Sequence, residues 1–182
     1  PTPNRETSSV RKNVISLGIG ASGIDKQWGE QHFATLCTWI TEHSSYAILL
    51  CGSTNEQYIV DTILQSIDNK HHHRIAHTCH HSITSIITQM SPTHYYVGND
   101  TGFLHIAIAL NKPSIGLFGS PYQAVLDYSP LIVPCTPEIS DEDRRNKPGH
   151  QHIQYIQPSS VITKLKQLID SQSYQHDETI PT

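Results

Sequence analysis

The sequence predicts an α/β protein, a parallel sheet with helices on both faces, and three observations carry that expectation. Short apolar runs alternate with amphipathic stretches along the chain, which is the pattern of strands joined by helical crossovers. Two of the apolar runs end in turns rich in glycine and polar residues, Gly18-Ile19-Gly20-Ala21-Ser22-Gly23 and Gly98-Asn99-Asp100-Thr101-Gly102. Strands separated by helices of this length imply right-handed crossovers and a parallel sheet covered on both faces, and no internal repeat is found.

Residues 14–19 read as the first strand. Phe33, Leu36, Cys37 and Ile40 then fall at i, i+3, i+4, i+7 within residues 30–43, one face of a helix. Residues 46–51 give the second strand. Ile59, Ile63 and Ile67 recur every fourth residue in a helix over 55–67, and Ser53-x-x-Glu56 just before it is a capping-box pattern. A short strand is expected at 74–78, a helix from Ser82 to Met90, a strand at 93–97, a helix over 101–110 and a strand at 114–118. Residues 131–134 form the last strand. Pro158 and Ser159 open a final helix with Val161, Leu165, Leu168 and Ile169 on one side. The domain is therefore drawn at 14–170, with 1–13 as linker and 171–182 as tail.

Composition bounds the function. A chain of 182 residues buries one core. Its formal charge of −4 and the absence of a Lys/Arg stripe argue against nucleic-acid binding. No apolar run is long enough to span a bilayer, and the first residues do not form a signal peptide. Cys37, Cys51, Cys79 and Cys135 make no Cys-x-x-Cys pair and read as buried thiols of a reducing compartment. His71, His72, His73, His77, His80 and His81 with Cys79 have the composition of metal ligands, yet their spacings fit no zinc signature, and no metal is expected.

The chemistry gathers at the two turns. In the first, closely spaced glycines permit close backbone approach, and Lys26 adds a mobile cation. No Gly-Lys-Ser/Thr follows, so the loop is not a P-loop, and it is not taken as a dinucleotide fingerprint either. In the second, acid, hydroxyl, glycine and imidazole stand where a strand hands over to a helix. A helix start at the carboxyl end of a parallel strand is where phosphates bind, although Asn, Asp, Thr and Gly also make an ordinary capped turn.

In this order and spacing the segments resemble glycosyltransferase family 9, the heptosyltransferases of lipopolysaccharide core assembly. The residues concerned are Ala21-Ser22, Lys26-Gln27-Trp28 and Phe33; Leu49-Leu50-Cys51-Gly52 with Glu56; and Asp100-Thr101-Gly102-x-x-His105 followed by Lys112-Pro113 and Leu117-Phe118-Gly119. The likeness runs over about residues 14–121. Two positions depart from the family pattern, which has proline where this chain has Gly29 and Phe103. The stretch 136–152 does not align with the family's tail.

The resemblance implies a Rossmann-like domain that is the carboxyl-terminal half of a two-domain GT-B glycosyltransferase. It implies an ADP-sugar donor, ADP-heptose in these enzymes, and a lipopolysaccharide core acceptor met through the other domain. That other domain would also supply the catalytic base, so no catalytic residue is expected in this chain. No cofactor is called for. The implied location is cytoplasmic, with peripheral attachment at the inner face of the cytoplasmic membrane as an option.

The donor-binding residues implied are Ala21, Ser22, Lys26, Glu56, Asp100, Thr101, Gly102 and His105. Negative charge grows on the departing pyrophosphate, and preorganised donors speed the transfer. Lys26, the amides and hydroxyl near Ser22, and the amides of Thr101 and Gly102 at a helix start are the donors available. Asp100 suits sugar hydroxyls or a helix cap. His105 shares a helix face with Thr101 and reaches the same ligand; the rival reading is a buried neutral histidine bonded to backbone. Glu56 suits ribose hydroxyls or the capping box. Two other functional classes share the phosphate donors: a sugar-nucleotide enzyme such as an epimerase, and a binding module without catalysis.

Overall fold

The computed structural model describes residues 13–23, 26–119, 127, 129–140, 142 and 149–177. Within them lie six strands: β1 (Val14–Gly18), β2 (Ala47–Cys51), β3 (Ile75–His77), β4 (Tyr95–Asn99), β5 (Ser114–Leu117) and β6 (Ile132–Cys135). The helices are α1 (Glu30–His43), α2 (Gln57–Ser66), α3 (Ile83–Met90), α4 (Gly102–Ala109) and α5 (Pro158–Asp177). All neighbouring strands pair parallel, in the order β3-β2-β1-β4-β5-β6. This is the α/β, Rossmann-like parallel sheet that the alternation predicts, with the strand order reversing between β1 and β4.

Strand periodicity sorts the core into two layers. Ile15, Leu17, Ile48, Leu50 and Val97 point to one face, where they meet Phe33, Leu36 and Ile40 of α1, Ile59 and Ile63 of α2, and Val161 and Leu165 of α5. Leu49, Cys51 and Tyr96 point to the other and meet Ile86 and Met90 of α3 and Leu104 and Ala107 of α4. Helices therefore cover both faces, as a parallel sheet requires.

Several boundaries differ from the sequence reading for local reasons. β4 starts at Tyr95 rather than residue 93 because the Thr93 hydroxyl donates to the Met90 carbonyl at 2.8 Å and holds Thr93 in the turn after α3. The strand then runs on through Gly98 and Asn99, which pair with Gly116 and Leu117. The expected helix over 55–67 begins as a 3-10 turn, Thr54–Glu56, before α2 proper. Pro134 sits inside β6, which is tolerated because β6 is an edge strand and needs no amide on its open side. The final helix continues past Ser171, where the sequence suggests a tail, to Asp177. The linker at 1–13 lies outside the described residues except for Asn13.

Two polar anchors fix the helical layer. The Arg74 guanidinium donates to the carbonyls of Thr41, Ser44 and Tyr46 and so closes the carboxyl end of α1. The indole of the fully buried Trp28 donates to the Ile156 carbonyl at 2.8 Å, tying the loop after β1 to the segment that leads into α5. No helix among the described residues is long and apolar enough to cross a membrane.

Candidate functional site

The reversal of strand order opens a crevice beyond the carboxyl ends of β1 and β4. A cleft of about 490 Å³ lies there. Ala21 and Ser22 line it from the loop after β1, Glu56 from the turn after β2, and Asp100, Thr101, Gly102 and His105 from the turn and helix after β4. Seven of the eight residues expected from the sequence thus meet in one cavity. Lys26 is the exception: it stands on the same loop as Ala21 and Ser22, partly exposed, with its amide donating to the Gly23 carbonyl, but it is not among the lining residues.

The loop after β1 contains a spacing that the sequence reading overlooks. Gly18, Gly20 and Gly23 stand at Gly-x-Gly-x-x-Gly spacing. The structure does not use them as a dinucleotide fingerprint, because Gly18 lies within β1 and α1 starts only at Glu30, well after the third glycine. Gly20 instead leaves room beside Glu56: a side-chain carbon there would sit 3.2 Å from the carboxylate, closer than an ordinary contact.

Gly29 explains one departure from the family pattern. Its φ of +106° is inaccessible to proline, whose ring holds φ near −65°. The chain enters α1 by a left-handed turn, so proline has no place here. At the other departure, Phe103 packs partly against the second core layer and lines the cleft.

Glu56 is buried, and both roles offered for it stay physically compatible. Its Oε2 accepts from the Ser53 amide at 2.7 Å and the Ser53 hydroxyl at 2.6 Å, while Ser53 Oγ accepts from the Asn55 amide, so the capping box is formed. Its carboxylate nevertheless borders the cleft. Asp100 does not cap α4. The N-cap is Thr101, in extended conformation, and it makes no side-chain bond to the first turn. Asp100 precedes it, exposed at the cleft. His105 is likewise exposed on the cleft side rather than buried against backbone.

Asn99 does not line the cleft, but it holds the site together in a way that sequence reasoning missed. It is fully buried, its Nδ2 donates to the Ile19 carbonyl at 3.3 Å and the Gly20 carbonyl at 3.0 Å, and its Oδ1 accepts from the Trp28 amide at 3.2 Å. One amide side chain therefore ties the loop after β1 to the end of β4. Ile83, Ile106 and Ser53 line the cleft itself without having been expected there.

The remaining chemistry-bearing residues lie elsewhere. His72 Nε2 is within hydrogen-bonding distance of the Leu64 and Ile67 carbonyls, which fastens the turn after α2. Among the described residues no group of His, Cys, Asp and Glu comes together to hold a metal. All four cysteines are free and buried. Burial pushes the Cys51 thiol up to about 12, and the nearby Cys79 adds to the rise, so it stays protonated at neutral pH.

Comparison with known proteins agrees with the geometry. Residues 2–136 match the pattern of glycosyltransferase family 9 (heptosyltransferase). Lipooligosaccharide heptosyltransferase 2 of Haemophilus ducreyi is 30% identical over 173 residues, covering 90% of this chain and 49% of that protein. The chain spans about half the length of the curated relatives it matches. Among solved structures, E. coli ADP-heptose lps heptosyltransferase II superposes with a TM-score of 0.77 at 22% identity, covering 91% of this chain and 49% of the other. E. coli heptosyltransferase WaaC with ADP-2-deoxy-2-fluoro heptose gives 0.66 at 17% identity, covering 86% and 43%.

Proposed function

The chain belongs to glycosyltransferase family 9, and on that premise we propose that its cleft binds an ADP-activated sugar, ADP-heptose, as the donor for transfer to the lipopolysaccharide inner core. The observation that carries the reading is the start of α4. Thr101 gives the first turn no side-chain cap, Thr101 and Gly102 both line the cleft, and a side-chain carbon at Gly102 would meet nothing within 4 Å, so the helix starts at the cleft with no side chain closing it. Such a start attracts a phosphate.

In the proposed reaction, the bond between the anomeric carbon and the ADP oxygen breaks while an acceptor hydroxyl attacks. Charge accumulates on the diphosphate, where the Thr101 and Gly102 amides and the Ser22 loop would stabilise it. Lys26, on that loop, has a side chain long enough to fold over the ligand once it is bound. His105 and Asp100 are the groups placed for sugar or phosphate oxygens, and Glu56 keeps one carboxylate oxygen beyond its Ser53 bonds for a ribose hydroxyl. The base that activates the acceptor would come from a second domain, in keeping with relatives about twice as long. Epimerase chemistry is less well served, since Glu56 is already engaged by Ser53.

Titration calorimetry of this chain with ADP, UDP and GDP, with and without EDTA, tests the proposal. ADP should bind, weakly but better than the other two, and EDTA should change nothing. Equal or absent binding of all three would overturn the adenine assignment. Lys26→Ala should weaken ADP binding by roughly 1.5–3 kcal/mol, the range for a charge-assisted contact, and an unchanged affinity would remove Lys26 from the site.

A further inference from the structure

Tyr96 is the second residue of β4, fully buried on the face that carries α3 and α4. Its ring lies toward the cleft end of the sheet, because its hydroxyl hangs over the next level of β1 and β4. A side-chain carbon on Gly18 would lie 1.8 Å from that hydroxyl, and one on Gly98 would lie 2.6 Å from it. Gly18 and Gly98 are register partners in the paired strands. Two neighbouring strands thus each lack a side chain at the one level where the phenol oxygen needs room.

The oxygen that gains this space gains no aligned protein partner. The Tyr96 hydroxyl and the Thr101 Oγ1 are both buried atoms without a hydrogen bond. They are nonetheless neighbours: burial drives the Tyr96 phenol well above its ordinary range, Cys51 adds to the rise, and the Thr101 side chain opposes it. The phenol therefore keeps its proton at every physiological pH and is a donor. Native proteins seldom leave a buried hydroxyl unsatisfied, since its desolvation is then uncompensated. Here two lie near the end of β4, one of them on Thr101, which lines the cleft and begins α4.

We propose that Tyr96 is a positioning residue: its hydroxyl donates to Thr101 Oγ1, which turns the Thr101 hydroxyl proton outward onto a diphosphate oxygen of the bound nucleotide. A threonine hydroxyl has one proton and two lone pairs, so it can accept from Tyr96 while donating to the ligand. Each bond of such a chain polarises the next. In this arrangement the two hydroxyls, which have no aligned partner of their own, become satisfied when a nucleotide oxygen accepts from Thr101, which places the gain on binding rather than on folding. Tyr96 itself does not touch the ligand. The inference rests on the cleft taking a nucleoside diphosphate, as proposed above.

Tyr96→Phe keeps the ring and removes only the oxygen, and it separates positioning from packing because the two roles predict different signs. Thermal melts and ADP calorimetry would be run on the wild-type chain, Tyr96→Phe, Thr101→Ser and Thr101→Val. Positioning predicts that Tyr96→Phe melts at the same temperature or higher, having lost an unsatisfied buried hydroxyl, while ADP affinity drops about 3- to 10-fold, the range of one neutral hydrogen bond. Thr101→Ser should retain most of the affinity, whereas Thr101→Val should lose at least as much as Tyr96→Phe. The double variant Tyr96→Phe/Thr101→Val should be no weaker than Thr101→Val alone, since both act through one proton. Unchanged ADP affinity in Tyr96→Phe, with a folded protein and a wild type that binds, would overturn the inference alone. Failure of the wild type to bind ADP would overturn the donor-site reading and this inference with it.

Discussion

Two helical starts line the same cleft and are finished in opposite ways. After β2, Ser53 and Glu56 close the 3-10 turn that leads into α2, the glutamate accepting from both the amide and the hydroxyl of Ser53. After β4, Thr101 occupies the equivalent position ahead of α4, with the extended backbone of an N-cap, yet gives nothing to the first turn, and the next residue is Gly102 rather than an acid. The first start neutralises its own amides; the second leaves them to whatever enters the cleft. Ser82 repeats the first solution at α3, with its hydroxyl accepting from the Ser85 amide. On the proposed reading, an anion site in this fold would be marked by the bonds that the chain leaves unmade at a helix start, and the capping residue types alone do not identify it.

The largest effect should come from converting the open start into a closed one. Gly102→Glu has room for its side chain, since a Cβ there meets nothing within 4 Å. It would place a carboxylate where the diphosphate is proposed to sit. ADP affinity should fall at least about 100-fold, as like charges brought together cost several kcal/mol. The melting temperature should hold or rise, because an acid in the first turn and a residue stiffer than glycine both favour the helix. Retained ADP binding would mean that the α4 amides do not carry the ligand.

The closed start should show the reverse. Glu56→Ala removes the acceptor of two short bonds and strands the Ser53 amide, so unfolding in urea should reveal a loss of about 1–2 kcal/mol. Any effect on ADP should be smaller than that of Gly102→Glu. A variant as stable as the wild type would show that the capping box is incidental and would weaken the contrast on which the comparison stands.

The parts of the molecule that were legible in the sequence depend on local periodicity or on topology. Helical spacing placed α1, and apolar runs bounded by turns placed β1 and β5, each to within a residue or so at either end. The resemblance to family 9, read with the rule that a parallel sheet puts ligands beyond the carboxyl ends of its strands, grouped Ala21, Ser22, Glu56, Asp100, Thr101, Gly102 and His105, and all seven line the cleft. What was not legible depends on register between distant segments. Asn99 clamps carbonyls about 80 positions away, and Tyr96 fits only because Gly18 comes opposite Gly98. Nothing in the neighbourhood of Asn99 or Tyr96 along the chain signals either contact. The left-handed turn at Gly29 is of the same kind, since a single glycine does not announce the sign of its φ.

Asp100 gives the smallest and most discriminating test. From the sequence it suits either a helix cap or a sugar contact, and the two make different demands on the folded state. A cap accepts a hydrogen bond from the first turn, so its loss lowers stability by about 1 kcal/mol. Asp100 lies one residue ahead of the N-cap and is exposed at the cleft, which leaves it no part in closing α4. Asp100→Ala should therefore change unfolding free energy by less than about 0.5 kcal/mol, as a surface substitution does. A carboxylate holding sugar hydroxyls would matter only when the sugar is present. The variant should accordingly bind ADP almost as the wild type does, and the ADP-sugar more weakly by about 1 kcal/mol, in line with one hydrogen bond to a charged group near solvent. Four calorimetric titrations and two urea curves give the comparison. Loss of stability with equal effects on both ligands would make Asp100 part of the helix start after all, and the open character of that start would then need another explanation.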